Sequence, residues 1–519
     1  MAIGTQSKPM RWPAGPLDIA RREKEKDFTP QIAEVLRKWL DPSLLASVKG
    51  APVNCMVVSW ASGLPADAEQ QQALKPLLQA GRQAGLDFVG LIEAAADKPA
   101  AIAAARAAGL SAVAMETIPT GDAGIPVIAW AKSGEALWSA NSPILGVADG
   151  IWPGVPQEKA PTGGPTNLPW VDSNGALLGM ARALAPWNGP GGGPLAGSGP
   201  NYSTGRAPNK DVWIFVESPT KAKLTVANYL LTVADAEAYG GHWVISLDDQ
   251  MRAGLAAKSA QTAADWKKIC DTLAFFRQNK TIRTYERMGR LAVMSNFSEP
   301  DRAFGEDTLN MFPRLREPFR VISKTQALTA SLDGLQGIFF VDQVAPEPKL
   351  REKLTAFVKG GGTLFVRSTW PNPEGSPMQL SSAEDYLYFN VRQLGKGRLA
   401  VAKEENPDTY FSCMDVQNIM SHRGDPARLY NGASMNYFYQ VSPRGRQGVI
   451  HVLNYSRLPG SANALIFLKS PYRSASFVSP EIAAPVALKW SPLTSAYETG
   501  GAELSLPPIS VYGAVQMET

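Results

Sequence analysis

The chain has 519 residues, 45% of them hydrophobic and 19% charged. That is a globular balance, and it excludes a wholly disordered chain, a coiled coil and a collagen-like chain. At ~100–200 residues per domain the length predicts roughly three domains. A net charge of +4, from 51 basic and 47 acidic residues, gives no concentrated basic field, so nucleic acid is not an expected partner. Cys55, Cys270 and Cys413 are far apart and odd in number, which excludes a disulfide framework or a CxxC metal signature. With His242, His422 and His451 the only histidines, neither a metal nor any other cofactor is expected. No run of about 18 apolar residues is present, so no membrane span is expected. The start of the chain is polar and Pro-rich, without the apolar core of a signal peptide. This leaves a secreted or periplasmic location if the chain is a mature form, and a cytoplasmic one otherwise.

Residues 1–50 read as an extended arm followed by a helix, with Ile32, Val35, Leu36, Leu40 and Leu45 at helical spacing. From Pro52, short β-branched or aromatic runs alternate with amphipathic stretches, the pattern of βα units. The runs are Pro52–Trp60, Asp87–Glu93, Ser111–Glu116, Pro126–Trp130, Pro143–Asp149, Asp211–Glu217, His242–Asp248 and Leu291–Asn296. Eight such runs with mostly helical gaps predict a (β/α)8 TIM barrel over residues 51–318, the alternative being a doubly wound sheet. Gly191–Gly193 lies in a Gly/Pro-rich stretch and lacks the Lys-Ser/Thr of a phosphate loop. Residues 319–385 read as a flavodoxin-like α/β domain, with the helix Glu347–Val358 stopped by glycines before an apolar strand. Residues 386–519 show short alternating strands between turn residues, the pattern of a β-sandwich.

Barrel enzymes carry their reactive groups at the C-terminal ends of the strands. Here those ends are Trp60, Glu93, Glu116, Trp130, Asp149, Glu217, Asp248–Asp249 and Asn296. Carboxylates interleaved with tryptophans suit a glycan, whose C–H faces stack on aromatic rings and whose hydroxyls meet carboxylates. The long connection after Asp149 adds Trp152, Trp170, Asp172 and Asn174 as candidate ligand contacts, although Asp172 also suits a helix cap. His242, at the start of its strand, is expected to be structural.

The segments "DGLQGIFFVDQ" (Asp333–Gln343), "FVKGGGTLFVRS" (Phe357–Ser368), "GKGRLAVAKE" (Gly395–Glu404) and "HVLNYS" (His451–Ser456), in the order barrel, α/β layer, sandwich, resemble the three-domain bacterial β-galactosidases and related barrel glycoside hydrolases. In that family the middle domain looks like a glutamine amidotransferase and makes subunit contacts. The resemblance therefore implies a homo-oligomer formed through a middle domain that has neither Cys nor His here. It also implies an Asn-Glu acid at strand four and a Glu nucleophile at strand seven. Counted from Pro52, strand four ends "VIAWAKSGE" and strand seven ends in Asp248-Asp249, so the acid is expected at strand six, on Glu217.

Glycoside cleavage needs two carboxyl groups across one bond, at ~5–5.5 Å for a nucleophile or ~6.5–9.5 Å for a water-activating base. The expectation is a glycoside hydrolase acting on an oligo- or polysaccharide, with Glu217 as acid and Asp248 or Asp249 as nucleophile or base. Trp60, Glu93, Glu116, Trp130, Asp149, Trp152, Trp170, Asp172 and Asn174 are the expected substrate contacts. The structural alternatives are a loop cap or a Lys221 pair for Glu217, and a helix N-cap for Asp248 or Asp249. A non-catalytic glycan-binding or assembly protein on the same barrel is the second functional reading. A different barrel enzyme, a deacetylase or lyase, is the third.

Overall fold

A computed structural model describes residues 7–25, 28–119, 121–155, 172–184, 210–219, 223–279, 285–378, 386–405, 407–422, 424–432, 434–442, 444–456, 464–493 and 500–519. The chain divides into two compact units, residues 1–160 with 208–280 and residues 161–207 with 281–519. Trp170, Lys221 and Gly191–Gly193 lie outside the described residues.

The first unit is an eight-stranded parallel sheet whose strands are hydrogen-bonded in sequence order. They are β1 (Pro9–Arg11), β2 (Cys55–Ala61), β3 (Asp87–Ile92), β4 (Ala112–Met115), β5 (Val127–Ala131), β6 (Ile144–Val147), β7 (Asp211–Ile214) and β8 (His242–Trp243). The sheet closes on itself: Arg11 N donates to Ile245 O at 2.8 Å and Ile245 N to Pro9 O at 3.1 Å, with a parallel bridge from Met10 to Ile245. The protein therefore contains a (β/α)8 barrel. Its helices are α1 (Pro16–Arg22) and α2 (Pro30–Lys38) after β1, α3 (Asp67–Gln83), α4 (Lys98–Ala108), the single turn α5 (Glu135–Trp138), and, after α6 (Gly175–Leu184) of the second unit, α7 (Val226–Ala238), α8 (Asp249–Ala256) and α9 (Ala260–Gln278). Local chemistry sets the helix ends. Asp97 caps α4, its carboxylate accepting from Ala100 N at 3.2 Å, and Gly109 ends the helix at φ 73°, where a glycine has no Cβ to clash.

Both ends of the barrel differ from the sequence expectation. The first barrel strand lies in the N-terminal arm: Pro9–Arg11 is three residues without a β-branched side chain, so propensity does not mark it, and barrel closure forms it. Correspondingly, Leu291–Met294 is not the eighth barrel strand but belongs to a sheet of the second unit.

That second sheet has seven strands, and residues 319–385 are only part of it. Its parallel portion runs Phe319–Ile322, Leu291–Met294, Gly337–Phe340, Thr363–Val366, Gly397–Ala402 in spatial order. Phe389–Leu394 pairs antiparallel to the last of these. The chain order thus reads 2-1-3-4-5, the doubly wound order of flavodoxin-like layers. Described residues of the sandwich begin with Glu286–Met288 and resume at Ala427, later than residue 386. Its four- and six-stranded antiparallel sheets share a core that includes Leu429, Tyr437, Ile450, Ile466, Phe477, Leu504 and Val515. Helix α6 packs on the helix Arg302–Arg314 and the strand Phe319–Ile322 of this unit.

Between the α/β layer and the sandwich lies a buried charge cluster. Arg290 Nη2 is 2.6 Å from Asp425 Oδ1 and 3.9 Å from Glu317 Oε1, and Arg428 Nε donates to Asp425 Oδ2 at 2.9 Å. The half-exposed His422 approaches the same Asp425 oxygen at 2.8 Å. Glu317 itself is 2% exposed. Burial and the facing Asp425 carboxylate push its carboxyl up to about 7, against the opposing pull of Arg290 and His422.

Candidate active site at the barrel mouth

Side chains of a strand alternate between the two faces, and in a closed barrel those faces are the interior and the helix layer. The interior cluster contains Cys55, Val57, Val89, Ala112, Ala114, Ile128, Ile144, Trp213, Phe215 and Val244, with Leu91 and Trp130 packed on it. Continuing the strands by two residues in the same phase brings Ser59, Glu93, Glu116, Lys132, Glu217 and Ser246 to the C-terminal mouth.

Arg11 of β1 sits among them without exposure. Its Nε donates to Glu217 Oε1 at 3.2 Å, Nη1 to Val57 O at 3.2 Å, and Nη2 to Asp18 Oδ1 at 2.5 Å and Ser59 Oγ at 2.8 Å. The second oxygen of Glu217 accepts from Ser246 Oγ at 3.2 Å, and half of the Glu217 side chain remains open. Arg21 of α1 bonds Asp18 and Glu93, whose side chain is 46% exposed. Glu116 is exposed and has no hydrogen bond or ion pair among the described residues. Trp130, partly buried, faces the interior beside Phe215, ring centroids 5.1 Å apart. It lies over Gly146, where a Cβ would meet the indole at 2.3 Å.

The other predicted residues stand elsewhere, each for a visible reason. Trp60 is out of phase with the interior residues: it is 1% exposed in the helix layer and donates from Nε1 to Ala101 O of α4 at 2.9 Å, so it offers no face to a sugar. Asp149 is also out of phase and accepts from Ser133 N and Oγ at 2.8 and 2.7 Å, closing the turn after β5. Trp152 is 4% exposed, packed edge-on against Tyr229 and Trp243, and donates to the Glu217 backbone oxygen at 3.2 Å. It supports the Glu217 loop from behind.

Asp248 is the N-cap of α8, accepting from Met251 N at 2.7 Å, with burial raising its carboxyl above the usual range. Asp249 pairs with Arg22 at 2.9 Å and with Arg252. Asp172 and Asn174 belong to the second unit, where Asp172 accepts from Arg314 at 2.5 Å and Asn174 is buried. His242 lies at the barrel floor with Lys8 and Glu237, and all three are buried. Sequence reasoning missed Arg11, Asp18 and Arg21 because their strand and helix lie in what reads as an arm. The Pro16-initiated helix with acidic Asp18 in its first turn is the one signal there.

Metal-ligand donors come together, among the described residues, at Glu317, His422 and Asp425, within 4.8 Å of one another. The Arg290 guanidinium already supplies the cation to that group.

No protein-family model and no curated protein sequence matches the chain. Solved structures do. α-L-Fucosidase isoenzyme 2 from Paenibacillus thiaminolyticus superposes over 99% of this chain and 100% of its own, with TM-score 0.55 and 9% identity. The chain has the fold of barrel glycoside hydrolases. Weaker matches are β-galactosidase from Bacillus circulans sp. alkalophilus (TM-score 0.42, 10% identity, 88% of this chain and 68% of that one) and exo-β-1,4-mannosidase Op5Man5 from Opitutaceae bacterium strain TAV5 (0.43, 11%, 81% and 97%). At such identities the likeness is one of fold. Numbered from β1, the fourth strand leads into Glu116 and the seventh into Glu217.

Proposed function

We propose that the protein is a glycoside hydrolase whose paired carboxyl groups are Glu217 and Glu116. One observation carries the reading. Glu217 ends an inward-facing strand phase at the mouth, half open, and is held from two sides by Arg11 and Ser246. The Arg11 guanidinium holds one oxygen of Glu217 and leaves the other directed at the Ser246 hydroxyl, so the group is fixed in orientation at the mouth. That suits attack on an anomeric carbon better than proton donation, the role the sequence suggests. Glu116, exposed at the same mouth and free of ion pairs among the described residues, is then the acid. Glu217 attacks the anomeric carbon, and the glycosidic C–O bond breaks with its electron pair going to the leaving oxygen. That oxygen takes the proton of Glu116. Water then releases the sugar while Glu116 accepts its proton. Trp130 supplies the aromatic face for the sugar ring.

A panel of 4-nitrophenyl glycosides, including fucosides, galactosides and mannosides of both anomers, tests this. Glu217→Gln is expected to abolish turnover whatever the leaving group. Glu116→Gln is expected to cost roughly 10²–10⁴-fold where the leaving group is poor and far less with 4-nitrophenol, because acid assistance is then dispensable. Full turnover by Glu217→Gln overturns the assignment. Sugar binding without cleavage, with no loss of binding in Trp130→Phe, favours a glycan-binding role instead.

A further inference from the structure

We propose that Asp18 is a positioning residue of the mouth: acting through Arg11, it sets how strongly Glu217 is held. The inference rests on Glu217 being the reactive carboxylate.

Arg11 has no solvent to share its charge with, and two carboxylates divide it. The division is unequal. Asp18 stands at 2.5 Å from Nη2, is 3% exposed, and is saturated. Its Oδ1 also accepts from Ser59 Oγ at 2.8 Å and Arg21 Nη1 at 3.1 Å, and its Oδ2 from Ala14 N at 2.9 Å. Glu217 meets the Nε at 3.2 Å and is half in solvent. A charge–charge interaction strengthens with proximity and with exclusion of water, so Asp18 takes the larger share of the guanidinium. Glu217 is oriented by Arg11 without being fully neutralised, and a weakly paired carboxylate keeps its nucleophilicity.

Asp18 does not owe its place to Arg11 alone. Gln70, buried in α3, accepts from Leu17 N at 3.1 Å and donates to Ala14 O at 2.9 Å and Ser59 O at 3.0 Å, pinning the start of α1. Among the described residues, the charged and titratable groups that share the mouth with Glu217 are then Arg11 from β1, Asp18 and Arg21 from α1, Glu93 after β3 through Arg21, Glu116 after β4 and Lys132 after β5. Ser246 from β8 and Ser59 from β2 are the neutral hydroxyls.

The arrangement predicts opposite responses to two substitutions. Asp18→Asn leaves Arg11 to Glu217 alone, so the acid limb of the pH–rate profile on the cleaved 4-nitrophenyl glycoside moves down by about one pH unit, and kcat falls with KM little changed. Arg11→Gln removes the cation, and the limb moves up by about one pH unit. Ser59→Ala, which removes hydrogen bonds but no charge, leaves the limb where it was. Carboxyl-carbon NMR of the full chain labelled with [δ-¹³C]glutamate follows the same shifts without any substrate, the Glu217 signal being the one lost in Glu217→Gln. Loss of function in Glu217→Gln combined with an unmoved limb in Asp18→Asn overturns this inference and spares the functional reading. Retained function in Glu217→Gln does the reverse. If Asp18→Asn does not fold, Arg11→Lys asks the same question: a compact ammonium cannot serve both carboxylates, so the limb moves up, and an unmoved limb refutes the role.

Discussion

Replacing Glu317 by glutamine should make the protein more stable at pH 8 and change it far less at pH 5. Glu317 is buried between the α/β layer and the sandwich and faces the Asp425 carboxylate, and its carboxyl is raised to about 7 from the ordinary 4.5. Between those two values the folded chain holds a proton that the unfolded chain has released. Stability from this group is therefore fully present below about pH 4.5 and is lost progressively as pH rises to about 7. The gap corresponds to roughly 3 kcal/mol, a figure that already includes the attraction of Arg290. Glutamine keeps the shape and can still accept from Gln417, which approaches Glu317 at 3.5 Å, and it carries no charge to bury. Urea unfolding followed by far-UV circular dichroism at pH 5, 6, 7 and 8 measures this. The wild-type midpoint should fall across the series, and the Glu317→Gln midpoint should fall less. Parallel curves, or a variant weaker than wild type at pH 8, would refute the reasoning and show that the Arg290 pair outweighs desolvation.

Three further outcomes follow from the geometry. Trp60→Ala empties a fully buried site under α4 and should cost ~3–5 kcal/mol in unfolding free energy, whereas Trp130→Ala, at a partly buried ring, should cost less and weaken sugar binding; a larger loss of stability in Trp130→Ala than in Trp60→Ala would contradict the difference in their burial. Gly146→Ala puts a methyl into the Trp130 ring and should destabilise by ~1–3 kcal/mol while raising KM for the cleaved glycoside, so an unchanged KM would argue against Trp130 as a sugar platform. Deleting residues 1–12 removes β1 and with it Arg11, and should leave a barrel with open edges that aggregates at concentrations where the full chain stays dispersed by light scattering.

Much of this fold is legible in the sequence because period-2 apolar runs such as "CMVVSWA" and "DFVGLI" announce strands without help from the rest of the chain. The exceptions are elements made by tertiary pairing. Pro9–Arg11 is held by hydrogen bonds from β2 and Ile245, which no local pattern reports. Strand ends also mark the C-terminal mouth of the barrel, and Glu93, Glu116, Trp130 and Glu217 stand in the inward-facing phase there. The phase within each strand separates them from Trp60 and Asp149, and it can be counted along the sequence from Cys55 or Ile144. Asp248 and Asp249 illustrate a different limit. An acidic pair at a strand end reads equally as chemistry or as a helix start, and hydrogen bonds to Met251 N and ion pairs to Arg22 and Arg252 decide for the latter.

The barrel's chain path also constrains how the protein can be made. Strands β6 and β7 are separated in sequence by α6, a helix that packs in the other unit. No single cut yields the barrel alone, and a ribosome releases a piece of the second unit while the barrel still lacks its last two strands. Closure waits for Ile245 to meet a strand translated more than 230 residues earlier, so during synthesis β1, already paired to β2 along its inner side, keeps its outer edge open until the last strand arrives. A protein expressed with a bulky N-terminal fusion would carry that load at the seam of the barrel.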